Sequence, residues 1–252
     1  MLEQDEQRDE LLEKIEDLIS RKRYAELRDL LLPLEAQDIA GLFMELDDKV
    51  PMVFRLLPKE QAAEVFVELD SEEQEMLIQS FSNTELKEVL DELYLDDAVD
   101  IVEEMPANVV KRILRHADPD VRKSINEILK YPDDCAGSIM TTEYVDLKAT
   151  MTVEGALKRI RRTGPDKETI NICYVIDEGR HLLGYLSIRT ILLSEEDDVI
   201  GDIMDTHVIS ANTLDDQEDV AQILNKYDFL ALPIVDTENR LVGIVTVDDA
   251  MD

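Results

Sequence analysis

The chain has 252 residues, of which 59 are acidic and 26 are basic, and its formal net charge is -33 at pH 7. Its 44% of hydrophobic residues can fill the core of one large or two ordinary domains, which excludes a wholly disordered protein. So negative a surface repels nucleic acid and anionic lipid, and it attracts cations. Cys135 and Cys173 have no C-x-x-C spacing, so they suggest neither a disulfide framework nor a zinc site.

The N-terminal sequence MLEQDEQRDE lacks the basic and apolar regions of a signal peptide. No apolar run in the chain approaches the roughly 20 residues that a bilayer-spanning helix needs. We therefore expect this chain to be soluble.

From Leu11 to about Leu129, apolar residues recur every three or four positions, as in LLEKIEDLI and AAEVFVELD. The prolines of this stretch fall between the periodic segments, where they would open or close short helices. These prolines are Pro33, Pro51, Pro58, Pro106 and Pro119. The pattern predicts six to eight helices.

The helical segments also repeat. AGLFMELDD from Ala40 reappears as AEVFVELDS from Ala63, with Phe43 matching Phe66, and AVDIVEEMP from Ala98 is a looser echo. Short amphipathic helices that recur in this way are typical of an α-solenoid, in which each unit buries its apolar face against its neighbours. We predict a right-handed α-solenoid over residues 1–130.

Near Tyr131 the sequence changes to proline, glycine and β-branched residues, as in NICYVID and LLGYLSI. This second half is duplicated, because YVIDEGRHLLGYLSIRTI from Tyr174 aligns without a gap with PIVDTENRLVGIVTVDDA from Pro233. An Ile-Met pair, Ile139-Met140 or Ile203-Met204, precedes each copy. The predicted order is strand, helix, strand, turn, strand and helix, once in residues 131–200 and again in 201–252.

This pattern resembles a CBS repeat, and two repeats in tandem resemble a CBS pair. An acidic helical domain, the linker YPDDCAGSIMT and a CBS pair ending in LVGIVTVDDA together resemble the cytosolic region of MgtE magnesium channels over nearly all of the chain. The segments LLPKEQAAEV, LDDAVD and YDFLALPIVD add to the likeness. The resemblance implies a multidomain fold, α and then α/β. The chain stops at DDAMD, where the last helix of the second repeat should begin, so we expect the natural protein to continue into a transmembrane pore.

No arrangement of nucleophile and base stands out in the sequence. The histidines His116, His181 and His207 lie in different predicted elements, and none has a recognisable catalytic context. We therefore do not expect an enzyme.

A group of carboxylates that could bind a cation lies in DELYLDDAVDIVEE, from Asp91 to Glu104. In a helix, Asp96 and Asp100 are one turn apart, and such a like-charged pair costs roughly 0.2–0.5 kcal/mol. A magnesium or calcium ion would offset this repulsion, since both prefer oxygen ligands. The simpler interpretation is a solvated acidic surface.

In the MgtE family this helix faces the CBS pair, and magnesium ions bridge the two domains. The resemblance implies that Asp96 lies opposite Asp249 and that Asp100 lies near the backbone carbonyl of Asn225. It also implies three further ligands, which are Glu64, Asp228 and Glu218.

CBS pairs often bind adenine nucleotides such as ATP, and Thr246 with Asp249 gives the T-x-x-D spacing that contacts the ribose in such pairs. The first copy has Thr190 where that aspartate would stand, and Ile172 occupies the position where some MgtE relatives place a tyrosine against adenine. Asp249 therefore belongs to both the metal and the nucleotide hypothesis.

The resemblance implies the Mg²⁺-sensing regulatory region of a magnesium channel, on the cytoplasmic side of the cell membrane. Bound Mg²⁺ would compact the region and close a pore in the same full-length protein. We also expect a homodimer through the CBS domains and no nucleic-acid partner. Two alternatives stay open, namely an adenine-nucleotide energy sensor and a protein-interaction scaffold, since the helical repeats also resemble those of the flagellar motor switch protein.

Overall fold

The computed structural model describes residues 2–250, with side chains from residue 8 onward. The chain divides into two compact units. Among the described residues, the first unit contains 2–93 and 100–122, and the second contains 94–99 and 123–250. Each unit is described on its own.

Short helices form the N-terminal part of the chain. In order they are α1 Leu2–Ser20, α2 Tyr24–Leu31, α3 Ala36–Phe43, α4 Val50–Phe54, α5 Lys59–Val67, α6 Ser71–Ser80, α7 Asn83–Leu90, α8 Leu95–Glu104, α9 Ala107–His116 and α10 Pro119–Ile128. The described residues thus contain ten α-helices before residue 129, and the predicted count of six to eight is wrong. Linkers of only a few residues, without glycine, make neighbouring helices look continuous in the apolar pattern.

The prolines act as predicted. Pro51 is the second residue of α4, Pro119 is the first residue of α10, and Pro58 and Pro106 immediately precede α5 and α9. Pro33 lies between α2 and α3. Proline tolerates these positions because the first N–H groups of a helix have no intrahelical acceptor.

Alternate helices of the first unit pack on one another: α3 on α5, α5 on α7, and α7 on α9. The repeated phenylalanines Phe43 and Phe66 are each 1% exposed, and Phe54 and Phe81 join them in a cluster of rings whose centroids lie 5.4–6.5 Å apart. Repeated sequence positions therefore supply repeated core positions, as a solenoid requires. The handedness stays a prediction.

The second unit contains two three-stranded sheets. Their strands are β1 Val145–Lys148, β2 Ile172–Ile176 and β3 Leu182–Ser187 in one sheet, and β4 Ala211–Asn212, β5 Ala231–Val235 and β6 Leu241–Thr246 in the other. The helices of this part are α11 Val153–Thr163, α12 Ile188–Leu193, α13 Ile200–Ile203 and α14 Gln217–Tyr227. In each sheet the first strand is parallel to the second, which is antiparallel to the third. The predicted element order is confirmed for the first copy, and for the second as far as β6.

The two copies exchange short segments. Thr141, which precedes β1, forms an antiparallel bridge with Ile244 of β6 in the other copy. Asp205, which precedes β4, forms the equivalent bridge with Tyr185 of β3. Each hairpin therefore has its outer edge covered by the segment that leads into the opposite copy.

Glycine is required where these segments cross. A Cβ on Gly243 would lie 2.6 Å from Met140 Sδ, and a Cβ on Gly184 would lie 2.6 Å from the backbone oxygen of Asp205. Both distances are too short for a real contact, so any larger residue would displace the crossing segment. The equivalence of these two glycines, predicted from the sequence, has this physical basis.

No helix within residues 2–250 combines the length and the apolar character needed to cross a bilayer.

Candidate metal centre

A group of carboxylates gathers in the second unit. Its members come from the first turn of α8, from the segments that precede β1 and β2, and from the turn that follows β6. They are Asp96, Asp97, Glu143, Glu168, Asp248 and Asp249, and we call them the carboxylate cluster. The negative charges of other members raise the pKa values of Asp96 and Glu168.

Glu143 helps to hold the start of α8 at the cluster. Its Oε2 accepts a hydrogen bond from the backbone N–H of Leu95, the first residue of α8, at 3.4 Å. Its own backbone oxygen accepts a 2.9 Å bond from the N–H of Glu168. A first-turn N–H has no acceptor within its own helix, so a carboxylate distant in sequence supplies one.

Asp96 is the most buried member of the cluster. Its residue is 8% exposed, and its Oδ1 is buried without a hydrogen-bond partner among the described residues. Burial, together with the negative charges of Asp249 and Glu168, raises the pKa of Asp96 to about 9. Near neutral pH and without a cation, this carboxyl group therefore binds a proton.

Asp249 lies close to Asp96, and its negative charge raises the pKa of Asp96. The hydroxyl of Thr246 at the end of β6 also donates to Asp249 Oδ2, at 2.5 Å. Burial raises the pKa of Asp249, and the Thr246 hydroxyl opposes that rise. The two residues of the T-x-x-D pair predicted to contact a ribose are thus hydrogen-bonded to each other, and Asp249 lies close to Asp96.

Glu168 extends the cluster and was not predicted from the sequence. Burial, followed by the charges of Asp249 and Asp97, raises its pKa to about 7, and its Oε2 is buried without a partner in the described chain. Glu143 was missed as well. Both residues lie outside the periodic segments, so no spacing in the sequence pointed to them.

The remaining predicted ligands are exposed. In the first unit, Asp100 lies in α8 and Glu64 in α5. In the second unit, Glu218 lies in the first turn of α14, Asn225 in its last turn, and Asp228 just after its end, in a left-handed conformation with φ 56°. The helical rise separates Glu218 from Asp228 by about 15 Å, so these two residues do not share one ion. The roles predicted for all five stay predictions.

The cluster has the chemistry of a site for a hard cation. Asp96 offers a buried, unpartnered carboxylate oxygen, and Asp249 lies beside it. Among residues 2–250, no three His, Cys, Asp or Glu side chains are arranged to bind a single ion. Two carboxylates and retained waters form a coordination that Mg²⁺ commonly accepts.

A separate, apolar cavity of about 220 Å³ lies between the two copies. It is lined by Ile172, Tyr174, Tyr185, Val208, Ile209, Asp228, Phe229, Leu230, Ala231 and Pro233. The hydroxyl of Tyr174 is buried without a hydrogen-bond partner among the described residues. Thr246 and Asp249 are not part of this lining, so the predicted ribose contacts and the predicted adenine position Ile172 do not share this cavity.

Comparisons with known proteins agree with this architecture. The profile of the MgtE intracellular N domain matches residues 34–134, and the CBS domain profile matches residues 136–196 and 200–252. The magnesium transporter MgtE of Thermus thermophilus is 39% identical over 231 residues, which cover 90% of this chain and 51% of that protein. The magnesium transporter MgtE of Bacillus subtilis is 33% identical, over 97% of this chain and 54% of that protein. The chain thus spans about half the length of these relatives.

Two solved structures share the fold over nearly their whole length. The cytosolic domain of the Mg²⁺ channel MgtE in complex with ATP superposes with a TM-score of 0.90 and 38% identity, over 96% of this chain and 99% of that one. The soluble part of a magnesium transporter superposes with a TM-score of 0.87 and 32% identity, over 97% of both chains. The chain therefore belongs to the MgtE family, of which it contains the intracellular N domain followed by a pair of CBS domains.

Proposed function

We propose that this chain is the Mg²⁺-sensing regulatory region of a magnesium transporter. The observation that carries the proposal is the pair Asp96 and Asp249, of which Asp96 is buried and its Oδ1 has no partner among the described residues. Burying ionisable groups without compensation is unfavourable, and a bound divalent cation would supply that compensation. The description of both long relatives as magnesium transporters supports Mg²⁺ as the cation.

Asp96 and Asp249 would hold the ion directly. The ion would supply positive charge, which allows Asp96 to lose its proton while it stays buried and favours the ionised form of Asp249. The Thr246 hydroxyl keeps Asp249 Oδ2 oriented. The exposed residues Asp100 and Glu64, together with the α14 group of Glu218, Asn225 and Asp228, would contribute to weaker sites.

The regulatory step that we propose is compaction. When Mg²⁺ is scarce, the acidic faces of the helical domain and the CBS pair repel each other, and the two domains separate. When Mg²⁺ is plentiful, each ion stabilises the compact state by about RT ln(1 + [L]/Kd) for a site that exists only in that state. Several weak sites together would supply the several kcal/mol that a decisive population shift requires.

The proposed setting follows from the family. The compact state would close a pore that belongs to the same full-length protein, with this region on the cytoplasmic side of the cell membrane and without catalytic activity. We propose a homodimer through the CBS domains as the functional assembly, because a two-fold arrangement would transmit the same movement to both halves of a pore.

Small-angle X-ray scattering tests the compaction. The purified chain is titrated with Mg²⁺ from zero to about 20 mM at constant ionic strength, which separates binding from screening. We expect the radius of gyration to fall for the wild type and to stay constant for Asp96→Ala, Asp100→Ala. The control Asp29→Ala, Asp38→Ala makes two aspartate-to-alanine substitutions at exposed positions and should behave as the wild type. A radius that ignores Mg²⁺ in the wild type would refute the proposal.

A second candidate function is adenine-nucleotide sensing. It is favoured by the apolar cavity that contains Ile172 and Phe229, and by the ATP bound to a relative. Under this alternative, ATP would raise the thermal stability of the chain while Mg²⁺ alone would leave its shape unchanged. A protein-interaction scaffold would respond to neither ligand, and the Asp96→Ala, Asp100→Ala variant would then be harmless.

A further inference from the structure

A second cavity in the CBS unit has the opposite electrostatic character. It has a volume of about 320 Å³ and is lined by Thr142, Tyr144, Asp146, Lys148, Lys167, Ile176 and Arg180. Three of these residues are cations and one is an anion. Such a local excess of positive charge is unusual in a chain whose formal net charge is -33.

The one carboxylate in the lining is already neutralised. Asp146 Oδ1 accepts a 2.5 Å hydrogen bond from Nη2 of Arg159, a residue outside the lining. The Nε of Arg159 also donates to the backbone oxygen of Asp146, at 2.7 Å. With Asp146 paired in this way, the cations of the cavity keep their excess charge.

Arg180 is held in a fixed orientation at this cavity. Its backbone is left-handed, with φ 67°, which disfavours residues that have a Cβ. The equivalent turn of the other copy places Asn239 there, with φ 60°, and asparagine adopts this conformation more readily. The Nη2 of Arg180 donates to the Tyr144 hydroxyl at 2.7 Å and to the Leu241 oxygen at 3.1 Å. The hydrogen bonds within the described chain thus use Nη2, which leaves Nε and Nη1 for a ligand.

The two lysines add their positive charge to the lining of the cavity. Lys148 Nζ donates to the backbone oxygen of Asp177 at 2.8 Å and lies 3.9 Å from Glu178, whose side chain is 96% exposed and therefore well screened by water. Lys167 lies near Glu143. Burial raises the pKa of Glu143, and this rise is opposed first by the hydrogen bond from the Leu95 N–H and then by the positive charge of Lys167.

We propose that this cavity binds a phosphate group. A planar guanidinium with two free donor directions, two ammonium groups and the hydroxyl of Thr142 together match a tetrahedral oxyanion. Inorganic phosphate, pyrophosphate and the phosphates of a nucleotide share this chemistry. The proposal does not depend on Mg²⁺ sensing, and it assigns to the CBS pair an anion site that neither the apolar cavity nor the carboxylate cluster provides.

The test uses the full chain in EDTA at constant ionic strength, titrated by calorimetry with sodium phosphate, sodium pyrophosphate, ATP and adenosine. The key variant is Arg180→Asn, which removes the guanidinium but suits the left-handed backbone, as Asn239 does in the other copy. The control is Arg162→Asn, an exposed position of α11 in the same unit. Both variants change the net charge by the same amount.

We expect phosphate or pyrophosphate to bind the wild type, and Arg180→Asn to raise the Kd at least about tenfold, with the Arg162→Asn value within about twofold of the wild type. If ATP binds more tightly than pyrophosphate in the same Arg180-dependent way, the source is a nucleotide. If it binds equally or more weakly, the source is a free phosphate. The proposal is overturned if the wild type binds none of the three phosphates, if Arg180→Asn binds them as the wild type does, or if ATP alone binds without depending on Arg180.

Discussion

Replacing Asp96 with asparagine should stabilise the metal-free protein. The ordinary pKa of an aspartate side chain is 3.8, and the pKa of Asp96 in the folded chain is about 9. Folding of the wild type at neutral pH therefore requires the uptake of a proton. The stability that the protonated group provides is complete below pH 4, and it is lost progressively as the pH rises toward 9. Asparagine has nearly the same shape and no charge, so it avoids this loss.

The magnitude follows from the linkage between folding and proton binding. Each pH unit between the two pKa values costs the wild type about 1.4 kcal/mol, which gives an upper limit of about 5 kcal/mol at pH 7.5. Water entry and readjustment of Asp249 and Glu168 reduce this value, and we expect Asp96→Asn to be about 1–3 kcal/mol more stable than the wild type. The difference should shrink steadily toward pH 5.

Differential scanning calorimetry in EDTA at pH 5, 6.5 and 8 measures this difference, with Asp29→Asn as the same substitution at an exposed position. A gain of 1 kcal/mol corresponds to a rise in Tm of about 2–4 °C for a chain of this size. With Mg²⁺ at about 100 times its Kd, the wild type should gain about 2.7 kcal/mol and Asp96→Asn should gain nothing. The buried-carboxylate argument would be refuted if Asp96→Asn were less stable than the wild type at pH 8, or if the difference in stability did not change with pH.

Three further substitutions test separate features of the fold. Gly243→Ala should destabilise the CBS unit by about 1–3 kcal/mol because its Cβ would meet the crossing segment. Gly41→Ala, inside α3 with open space around the added Cβ, should stabilise the chain by about 0.5–1 kcal/mol. Thermal unfolding compares the stability of the two variants. Thr246→Val removes the hydroxyl that orients Asp249 and should weaken Mg²⁺ binding about threefold to tenfold, measured as the loss of Mg²⁺-induced rise in Tm. Ser82→Ala breaks the capping box of α7 and should cost about 1 kcal/mol, measured by urea unfolding, while a change within error would deny the cap that role.

Most of the fold could be predicted from the sequence because the signals for helices and strands are local. The 3.6-residue periodicity predicts the helical half, and the gap-free duplication from Tyr174 and Pro233 predicts two equivalent hairpins, which β2–β3 and β5–β6 confirm. The helix count was wrong because a break such as the one between α7 and α8 spans only four residues and contains no glycine or proline. The periodicity of apolar residues does not reveal so short a break between helices.

The candidate site was only partly predictable, since its residues are far apart in the chain. Helical spacing pointed to Asp96, but the proximity of Asp249 was implied by the family resemblance alone. Glu143 and Glu168 lie in irregular segments, and their positions depend on two bonds, Leu95 N–H to Glu143 and Glu168 N–H to Glu143, that join three separate parts of the chain. No pattern within one segment encodes such a meeting point.

The crossing segments make the two CBS repeats mutually dependent. A chain cut in the linker after α12 would give two fragments, and each would lack the segment that covers its own hairpin, so the fragments should associate with each other instead of folding apart. The same exchange connects the segment that precedes β1 to the carboxylate cluster. Thr141 is hydrogen-bonded to Ile244, two residues before Thr246, whose hydroxyl donates to Asp249, so this connection does not involve the first sheet.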